Sequence, residues 1–213
     1  MELHYGNLNK ENLKYIKEKN AFTKYFNLFD KIDYPNYLDT CTEIEQVSDV
    51  QKKAENSQNR ESIFKFCEQW DSALLESMQY WLNRLEIPNN EEYINFLADA
   101  SEELGALLMQ LKKHYNRARP FQYAFHSNQK FNPYETLSGN TPAYPSGHAS
   151  QSYFICSIVA NHYPEKKEEL MKLAKRVADS RIVMGVHFPS DNEFGVMIAK
   201  QIMSQKDIRA KYF

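Results

Sequence analysis

Two cations, Lys112 and Arg119, stand seven residues apart at the end of an amphipathic stretch, directly before Pro120. Seven residues make about two helical turns, so both side chains lie on one face if the helix continues to Arg119. Pro120 would then end that helix. An ammonium and a guanidinium that converge on one point suit a phosphate, because lysine is a point charge and arginine a two-donor fork. Taken alone the pattern is weak, since most such pairs are solvated surface cations.

A Pro-Ser-Gly turn followed by His148 precedes a second helical pattern. Such a turn at a helix N-terminus offers free backbone N–H groups, the Ser146 hydroxyl and the positive end of the dipole, all of which bind anions. Gly147 lets the backbone approach a ligand without a Cβ in the way, and His148 stands where it could protonate a bound group. The alternative is a plain N-cap at Ser146 followed by a first-turn histidine.

A third constellation consists of Arg181, His187 and Asp191. Arg181 closes an apolar helical stripe, which is an unusual position for a cation unless it pairs with an anion. Asp191 follows His187 by four residues, in the first turn of a helix that a Ser190 cap predicts. Its carboxylate can therefore hold one ring nitrogen and leave the other free for attack. The alternative is a histidine–aspartate pair that only fixes the junction between two helices.

Helical periodicity dominates the elements that would position these residues. Apolar residues recur at three- and four-residue steps within residues 93–115, 154–162, 170–181 and 194–202. Ser190 and Glu193 stand in capping-box register at the start of the last of these. No strand-like alternation of comparable length occurs, so we predict an all-α fold, a single helical-bundle domain. Residues 91–213 would form its catalytic core with all three motifs.

The N-terminal part, residues 1–90, is expected to be a helical part of the same domain without a recognised motif. Segments around Asn12–Phe29 and Ile63–Leu85 are typical of helices. Gln51–Glu61 is rich in charge and predicts a solvated linker or a surface helix.

Charge is distributed unevenly along the chain. The formal net charge of −2 gives no global basic field, so nucleic acid is not an expected partner. Between Glu103 and Glu165, however, the only acid is Glu135, and the same stretch holds five cations: Lys112, Lys113, Arg117, Arg119 and Lys130. A positive region within a slightly acidic protein indicates an anionic ligand at one site, although chance clustering gives the same pattern.

The three motifs in this order resemble the signature of the type 2 phosphatidic acid phosphatase (PAP2) superfamily, which includes the bacterial class A acid phosphatases and the vanadium haloperoxidases. All eleven signature positions match: Lys112, Arg119, Pro120, Pro145, Ser146, Gly147, His148, Ser180, Arg181, His187 and Asp191. Three linked motifs with correct internal spacing are far more specific than any one of them. The resemblance therefore weighs against the purely structural alternatives.

The resemblance implies an all-helical domain in which the motifs converge on one phosphate pocket. It implies that His187 is the nucleophile, that Asp191 orients it, and that His148 protonates the leaving alcohol and then activates water. It further implies binding of the phosphoryl oxygens by Lys112, Arg119, Ser146, Gly147 and Arg181. Three cations and a helix N-terminus can neutralise these oxygens without a metal, and no carboxylate cluster or Cys/His grouping predicts a metal site. No cofactor is expected.

We therefore expect a phosphoric monoester hydrolase, similar to an acid phosphatase, that works through a phosphohistidine and is inhibited by vanadate. Phosphotransferase or pyrophosphatase activity in the same pocket is an alternative. A vanadium-dependent haloperoxidase, with vanadate as its cofactor, ranks lower. The haloperoxidases of this superfamily are much longer proteins, and 213 residues leave little room for their additional scaffold. A third alternative is a non-enzymatic phosphate-binding or scaffolding protein. The presence of both histidines and Asp191 argues against it, because such a protein needs no nucleophile.

The expected partner is a small phosphorylated substrate, while homo-oligomer formation is left open. The longest apolar run is far shorter than the roughly 20 residues that cross a bilayer, so no integral membrane segment is expected. No export signal follows Met1, so we expect a cytoplasmic or otherwise soluble protein. The class A relatives are typically exported, and a trimmed chain would hide such a signal. The aromatic stretch Phe121–Tyr144 predicts either a lid over the pocket or packing anchors.

Overall fold

Helices account for most of the chain that this computed structural model describes, which is residues 3–10, 12–33, 35, 37–129, 131 and 133–213. Lys130 lies outside these residues. The α-helices are α1 (Asn12–Lys17), α2 (Tyr37–Glu55), α3 (Arg60–Ser72), α4 (Leu74–Arg84), α5 (Glu91–Tyr115), α6 (Pro120–His126), α7 (Gly147–His162), α8 (Lys167–Val183), α9 (Pro189–Met203) and α10 (Lys206–Tyr212). Short 3₁₀ helices span Thr23–Leu28 and Pro164–Lys166. The described residues contain no strand, only an isolated bridge, and the all-α prediction is confirmed.

Helix α7 is the centre of the fold. Side chains on every side of it are buried, which is typical of a helix surrounded by other elements. It packs against α5, α8 and α9. Phe154 and Ile158 of α7 share one apolar cluster with Leu107 of α5, Val177 of α8 and Ile198 of α9. Within the described residues, no helix is both long and apolar enough to span a bilayer.

The N-terminal third contributes to this same apolar cluster through Phe22, Phe29, Phe66 and Trp70. The two helical segments predicted there are each divided into two elements. The stretch at residues 51–61, predicted as a solvated linker or a surface helix, is mostly exposed: α2 continues through its first half and α3 begins within it. Gln51 is buried and donates to the carbonyl oxygen of Val183 at 3.2 Å. This part of α2 therefore packs against α8.

The end of α5 differs from the prediction. Asn116 adopts a left-handed conformation with φ of 50°, and its N–H donates to the carbonyl of Lys112, so the helix ends before Arg119. Arg119 is the extended N-cap residue of α6 and Pro120 is the first residue of that helix. Proline suits a first helical position, because its missing N–H is not needed there. The prediction that Lys112 and Arg119 share a helix that Pro120 ends is wrong.

The start of α9 differs in a related way. Its N-cap is Phe188 and its first residue is Pro189, so the predicted cap at Ser190 is wrong. The capping acceptor is the carboxylate of Asp191, which accepts from the N–H of Phe188 at 2.8 Å. The predicted place of Asp191 in the first turn is confirmed. A further helix, α10, follows the one predicted as last.

Candidate active site

The three sequence motifs meet in one buried site, built from the C-terminal ends of α5 and α8, the N-terminal ends of α7 and α9, and the connection from α5 to α6. Many charged groups are buried in this region, and burial of a charge is costly unless the charge has a partner. The region is therefore held together by charged contacts rather than by apolar packing. The structure brings together all eight predicted residues: Lys112, Arg119, Ser146, Gly147, His148, Arg181, His187 and Asp191.

His187 is held between an aspartate and an arginine. Its Nδ1 lies 3.2 Å from Asp191 Oδ2, and its Nε2 lies 3.0 Å from Arg119 Nη1. A guanidinium only donates, so Nε2 accepts and Nδ1 carries the proton. Burial first, and the nearby cations second, lower the pKa of His187 well below its ordinary value, so the ring is neutral. The geometry thus leaves a lone pair on Nε2, as a nucleophile requires.

Asp191 belongs to a buried ion network that the motifs do not indicate. Its Oδ1 accepts from Arg117 Nη1 at 2.6 Å, and Arg117 Nη2 donates to Glu43 Oε2 at 2.8 Å. In the sequence, the only signal for Arg117 is its place among the local cations. Glu43, 74 residues before Arg117, carries no signal, because it is one of several acids on α2 and such acids are usually exposed.

The cover segment, residues 137–142, lies across the three motif cations. Its oxygen atoms accept from each of them: Lys112 Nζ donates to Pro142 O at 2.5 Å, Arg119 Nε to Thr141 O at 2.7 Å, and Arg181 Nη2 to Ser138 Oγ at 2.7 Å. The segment is part of the aromatic stretch Phe121–Tyr144. That stretch provides packing anchors as well, since Tyr123 and Tyr144 are buried.

Arg181 reaches the site from the end of α8 and pairs with Asp71 of α3. Arg181 Nη2 and Asp71 Oδ1 are 2.7 Å apart. The same Oδ1 accepts from Ser138 Oγ at 2.7 Å, and Oδ2 accepts from Leu137 N at 2.6 Å. Burial acts to raise the pKa of Asp71, but these hydrogen bonds and the Arg181 charge outweigh it and hold the pKa below its ordinary value. Asp71 thus joins Arg181 to the cover segment.

Two nitrogen atoms of Arg181 define the part of the site that suits an anion. Nε and Nη1 are buried, and neither has a hydrogen-bond partner among the described residues. A buried donor without an acceptor costs about 1–3 kcal/mol, and such groups are rare in proteins. An oxyanion placed beside Arg181 would satisfy both.

The N-terminus of α7 forms another wall of the site. Ser146 is its N-cap, with Oγ accepting from Ala149 N at 3.4 Å, and its own N–H donates to the carbonyl of Asp191 at 2.9 Å. Ser146 is thus an N-cap, and this capping role is compatible with anion binding by the same turn. Gly147 opens the helix, and N–H groups of a first turn lack intrahelical acceptors. The turn therefore presents donors and the positive dipole end.

His148 lies in this first turn, and its Nε2 is 2.9 Å from the carbonyl oxygen of Trp70. A carbonyl only accepts, so Nε2 carries a proton and Nδ1 of the neutral ring holds a lone pair. Burial, followed by the charge of Arg181, lowers the pKa of His148 to about 3. The ring is thus neutral at pH 7 and can accept a proton at Nδ1.

The positive charge of the site comes from Lys112, Arg119 and Arg181. Desolvation first, and repulsion between the cations second, lower the pKa of Lys112 well below its ordinary value. Desolvation is also the main cause that lowers the pKa of Arg119 to about 10. An anion bound among these groups would raise both pKa values again. In the described ranges, no three His, Cys, Asp or Glu side chains are arranged as metal ligands.

Comparison with known proteins finds similarity to one family and to acid phosphatases. Residues 100–202 match the family model described as PAP2 superfamily. A non-specific acid phosphatase of Salmonella typhimurium is 33% identical over 84 residues, which are 39% of this chain and 33% of that protein. One from Providencia stuartii is 26% identical over 129 residues, which are 60% of this chain and 50% of that protein.

The chain thus spans between a third and a half of the length of these relatives. The matched family segment begins on α5 and ends near the end of α9, so it contains all eight predicted site residues. Glu43 and Asp71, which contact the site from α2 and α3, lie before it. Residues 100–202, which carry all eight predicted site residues, are therefore the part of the chain that matches the PAP2 superfamily.

Proposed function

We propose that this chain is a phosphatase that hydrolyses phosphate monoesters through a phosphohistidine on His187. One observation carries the proposal: the Nε2 lone pair of His187 faces Arg119, while Nδ1 is held by Asp191. A lone pair directed toward cations is placed to attack a phosphorus atom whose oxygens those cations bind. The acid phosphatase names of the relatives support the same reaction class.

The substrate would bind by replacing contacts that the site cations now make. Lys112 and Arg119 donate to carbonyl oxygens of the cover segment, and Arg119 also donates to His187 Nε2. Phosphoryl oxygens would take over some of these hydrogen bonds and would add those of Arg181 Nε and Nη1. Phosphoryl transfer depends mainly on positioning and on neutralisation of the equatorial oxygens, and this set of donors supplies both.

In the first displacement, His187 Nε2 attacks phosphorus, the P–N bond forms and the ester P–O bond breaks. The leaving alkoxide takes a proton from His148. That histidine is neutral before binding, because its pKa is about 3. The negative charge of a bound phosphate raises the pKa, so the ring can bring a proton with the substrate. Asp191 stabilises the positive charge that develops on the His187 ring.

In the second displacement, water attacks the phosphohistidine. His148 is neutral again after it has protonated the alcohol, so it accepts the proton of the water at Nδ1. The P–N bond breaks, inorganic phosphate leaves and the lone pair returns to His187 Nε2. One histidine therefore serves as acid in the first step and as base in the second, which is worth about 10²–10⁴-fold in rate.

Release of phosphate from p-nitrophenyl phosphate in the presence of a chelator tests the proposal. We expect activity in the wild type, inhibition by orthovanadate, loss in His187→Ala, and wild-type activity in His162→Ala. His162 is the matched control, because it lies at the far end of α7. Equal activity in His187→Ala would contradict the proposal. Halide oxidation by vanadate-loaded protein without phosphate release would favour the haloperoxidase reaction instead.

A further inference from the structure

Arg117 and Glu43 are buried beside Asp191 but lie outside the eight predicted site positions. We propose that they are positioning residues for Asp191 and, through it, for His187. This inference rests on the proposed function, because it concerns how the nucleophile is held. Their contacts lie at the junction between α8 and α9, whereas Asp71 contacts Arg181 and the cover segment.

Arg117 holds the junction between α8 and α9 by two kinds of contact. Its Nη1 donates to Asp191 Oδ1 at 2.6 Å and to Ser190 Oγ at 2.7 Å. Its guanidinium carbon lies 4.1 Å from the centre of the Phe188 ring. Arg117 itself has no exposed surface. Because Phe188 stands between His187 and Ser190 in the chain, these contacts fix the turn that carries both the nucleophile and its aspartate.

Glu43 completes this arrangement from α2. Its Oε1 accepts from the backbone N–H of Ser190 at 2.7 Å. Its Oε2 accepts from Ser190 Oγ and from Arg117 Nη2, both at 2.8 Å. One carboxylate therefore holds the first turn of α9 and also fixes the orientation in which Arg117 meets Asp191. Charge-assisted hydrogen bonds of this kind are short and directional.

The consequence is electrostatic as well as geometric. Asp191 has no exposed surface, and a carboxylate buried without a counter-ion takes up a proton instead of staying ionised. Arg117 supplies the counter-ion, so Asp191 stays an acceptor for the His187 Nδ1 proton. Glu43 offsets part of the Arg117 charge. Removing either partner must therefore change the proton affinity of the Asp191–His187 pair, in opposite directions.

Other charged or titratable groups also face this pair, and they are the same in the variants proposed below. They are Lys112 of α5, Arg119 before α6, Tyr144 before α7, His148 of α7 and Arg181 of α8. Differences between variants therefore report the contribution of Arg117 or Glu43 alone.

The test is the pH profile of kcat/KM for p-nitrophenyl phosphate in Arg117→Gln and Glu43→Gln. Loss of the Arg117 charge raises the proton affinity of the pair, so the acid limb should move to higher pH by about 1–3 units. Loss of the Glu43 charge should move it to lower pH by a smaller amount. Arg117→Lys keeps the charge and should restore the wild-type limb at a lower plateau. Lys113→Gln, which removes an exposed neighbouring cation, should leave the profile unchanged.

A purely structural role would lower the plateau in both variants without moving the acid limb, and that result would overturn the inference. The ¹⁵N spectrum of the histidine rings gives a second readout that needs no turnover. The pH at which the His187 ring protonates should rise in Arg117→Gln and fall in Glu43→Gln. If the wild type hydrolyses no ester, the proposed function fails, and these ring titrations still decide whether the pair controls His187. If Arg117→Gln does not fold, the Glu43→Gln shift decides alone.

Discussion

Gly195 of α9 lies so close to Ser146 that a Cβ at position 195 would stand 2.6 Å from the Ser146 carbonyl oxygen. This close approach joins the start of α7, which carries Gly147 and His148, to the first turns of α9, which carry Asp191. Only glycine permits it without movement of one backbone. The distance between the two helices is therefore tied to the geometry of the site.

Gly195→Ala should destabilise the protein by about 1–3 kcal/mol, as overpacking does, and should lower kcat because α9 moves away from α7. Thermal unfolding and steady-state kinetics measure the two effects. Gly105→Ala is the matched control. The nearest atom to a Cβ there is the end of the Gln151 side chain at 3.4 Å, so we expect no loss of stability. Equal stability of both variants would show that the approach is not limiting.

Arg119→Lys should lose about 10²-fold in kcat, comparable to the loss of one oxyanion donor. Lysine keeps the charge but cannot reproduce the planar fork, which here donates from Nε to Thr141 O and from Nη1 to Val186 O and His187. Kinetics with p-nitrophenyl phosphate measure the change, with the exposed Arg209→Lys as control. Wild-type turnover in Arg119→Lys would remove this residue from the phosphate site.

Asp71→Ala should weaken the binding of inorganic phosphate by about tenfold or more, because hydrogen bonds to charged groups contribute about 1.5–3 kcal/mol. Without Asp71, the Arg181 guanidinium loses its 2.7 Å partner and its fixed orientation. Isothermal titration calorimetry gives the dissociation constant for phosphate, and this constant does not depend on the fraction of the protein that is active. Glu68→Ala removes an exposed carboxylate from the same helix and should bind phosphate normally. An unchanged constant in Asp71→Ala would contradict this role.

His148 should make the folded protein less stable in acid. Its pKa is about 3 in the folded protein against an ordinary 6.5, so between these values the unfolded chain binds more protons and the free energy of unfolding falls as the pH falls. His148→Gln keeps a donor for the Trp70 carbonyl but cannot titrate. Urea denaturation at several pH values should therefore show a smaller decrease from about pH 6.5 to 3 in this variant. Parallel curves would mean that the pKa is not lowered.

The resemblance to the PAP2 superfamily implied that the motifs converge, but not the way in which the chain brings them together. Lys112 and Arg119 do meet, although the helix that was predicted to align them ends at Tyr115. Local pattern cannot distinguish a proline that ends one helix from a proline that begins the next, because both uses follow from its missing N–H. The same ambiguity explains the misplaced cap at Ser190.

Glu43 and Asp71 could not be predicted as site residues. Each is one of several acids on its helix. Glu43 lies 74 residues before Arg117, and Asp71 lies 110 residues before Arg181. Nothing local distinguishes them from solvated acids, and only the packing of α2 and α3 against α8 brings them to the site. Periodicity predicts which face of a helix is apolar, but it does not predict which element that face meets.

The most direct test of the central claim is chemical trapping of the phosphoenzyme in His148→Ala. p-Nitrophenolate leaves with little need of a proton, so the first displacement should proceed on His187. The second then lacks its general base, at a cost of about 10²–10⁴-fold. We predict a burst near one equivalent of p-nitrophenolate, followed by slow turnover. Quenching into alkali preserves phosphohistidine, and peptide mass mapping should locate the phosphate on His187. A burst in His187→Ala, or phosphate mapped to Ser146, would contradict the mechanism.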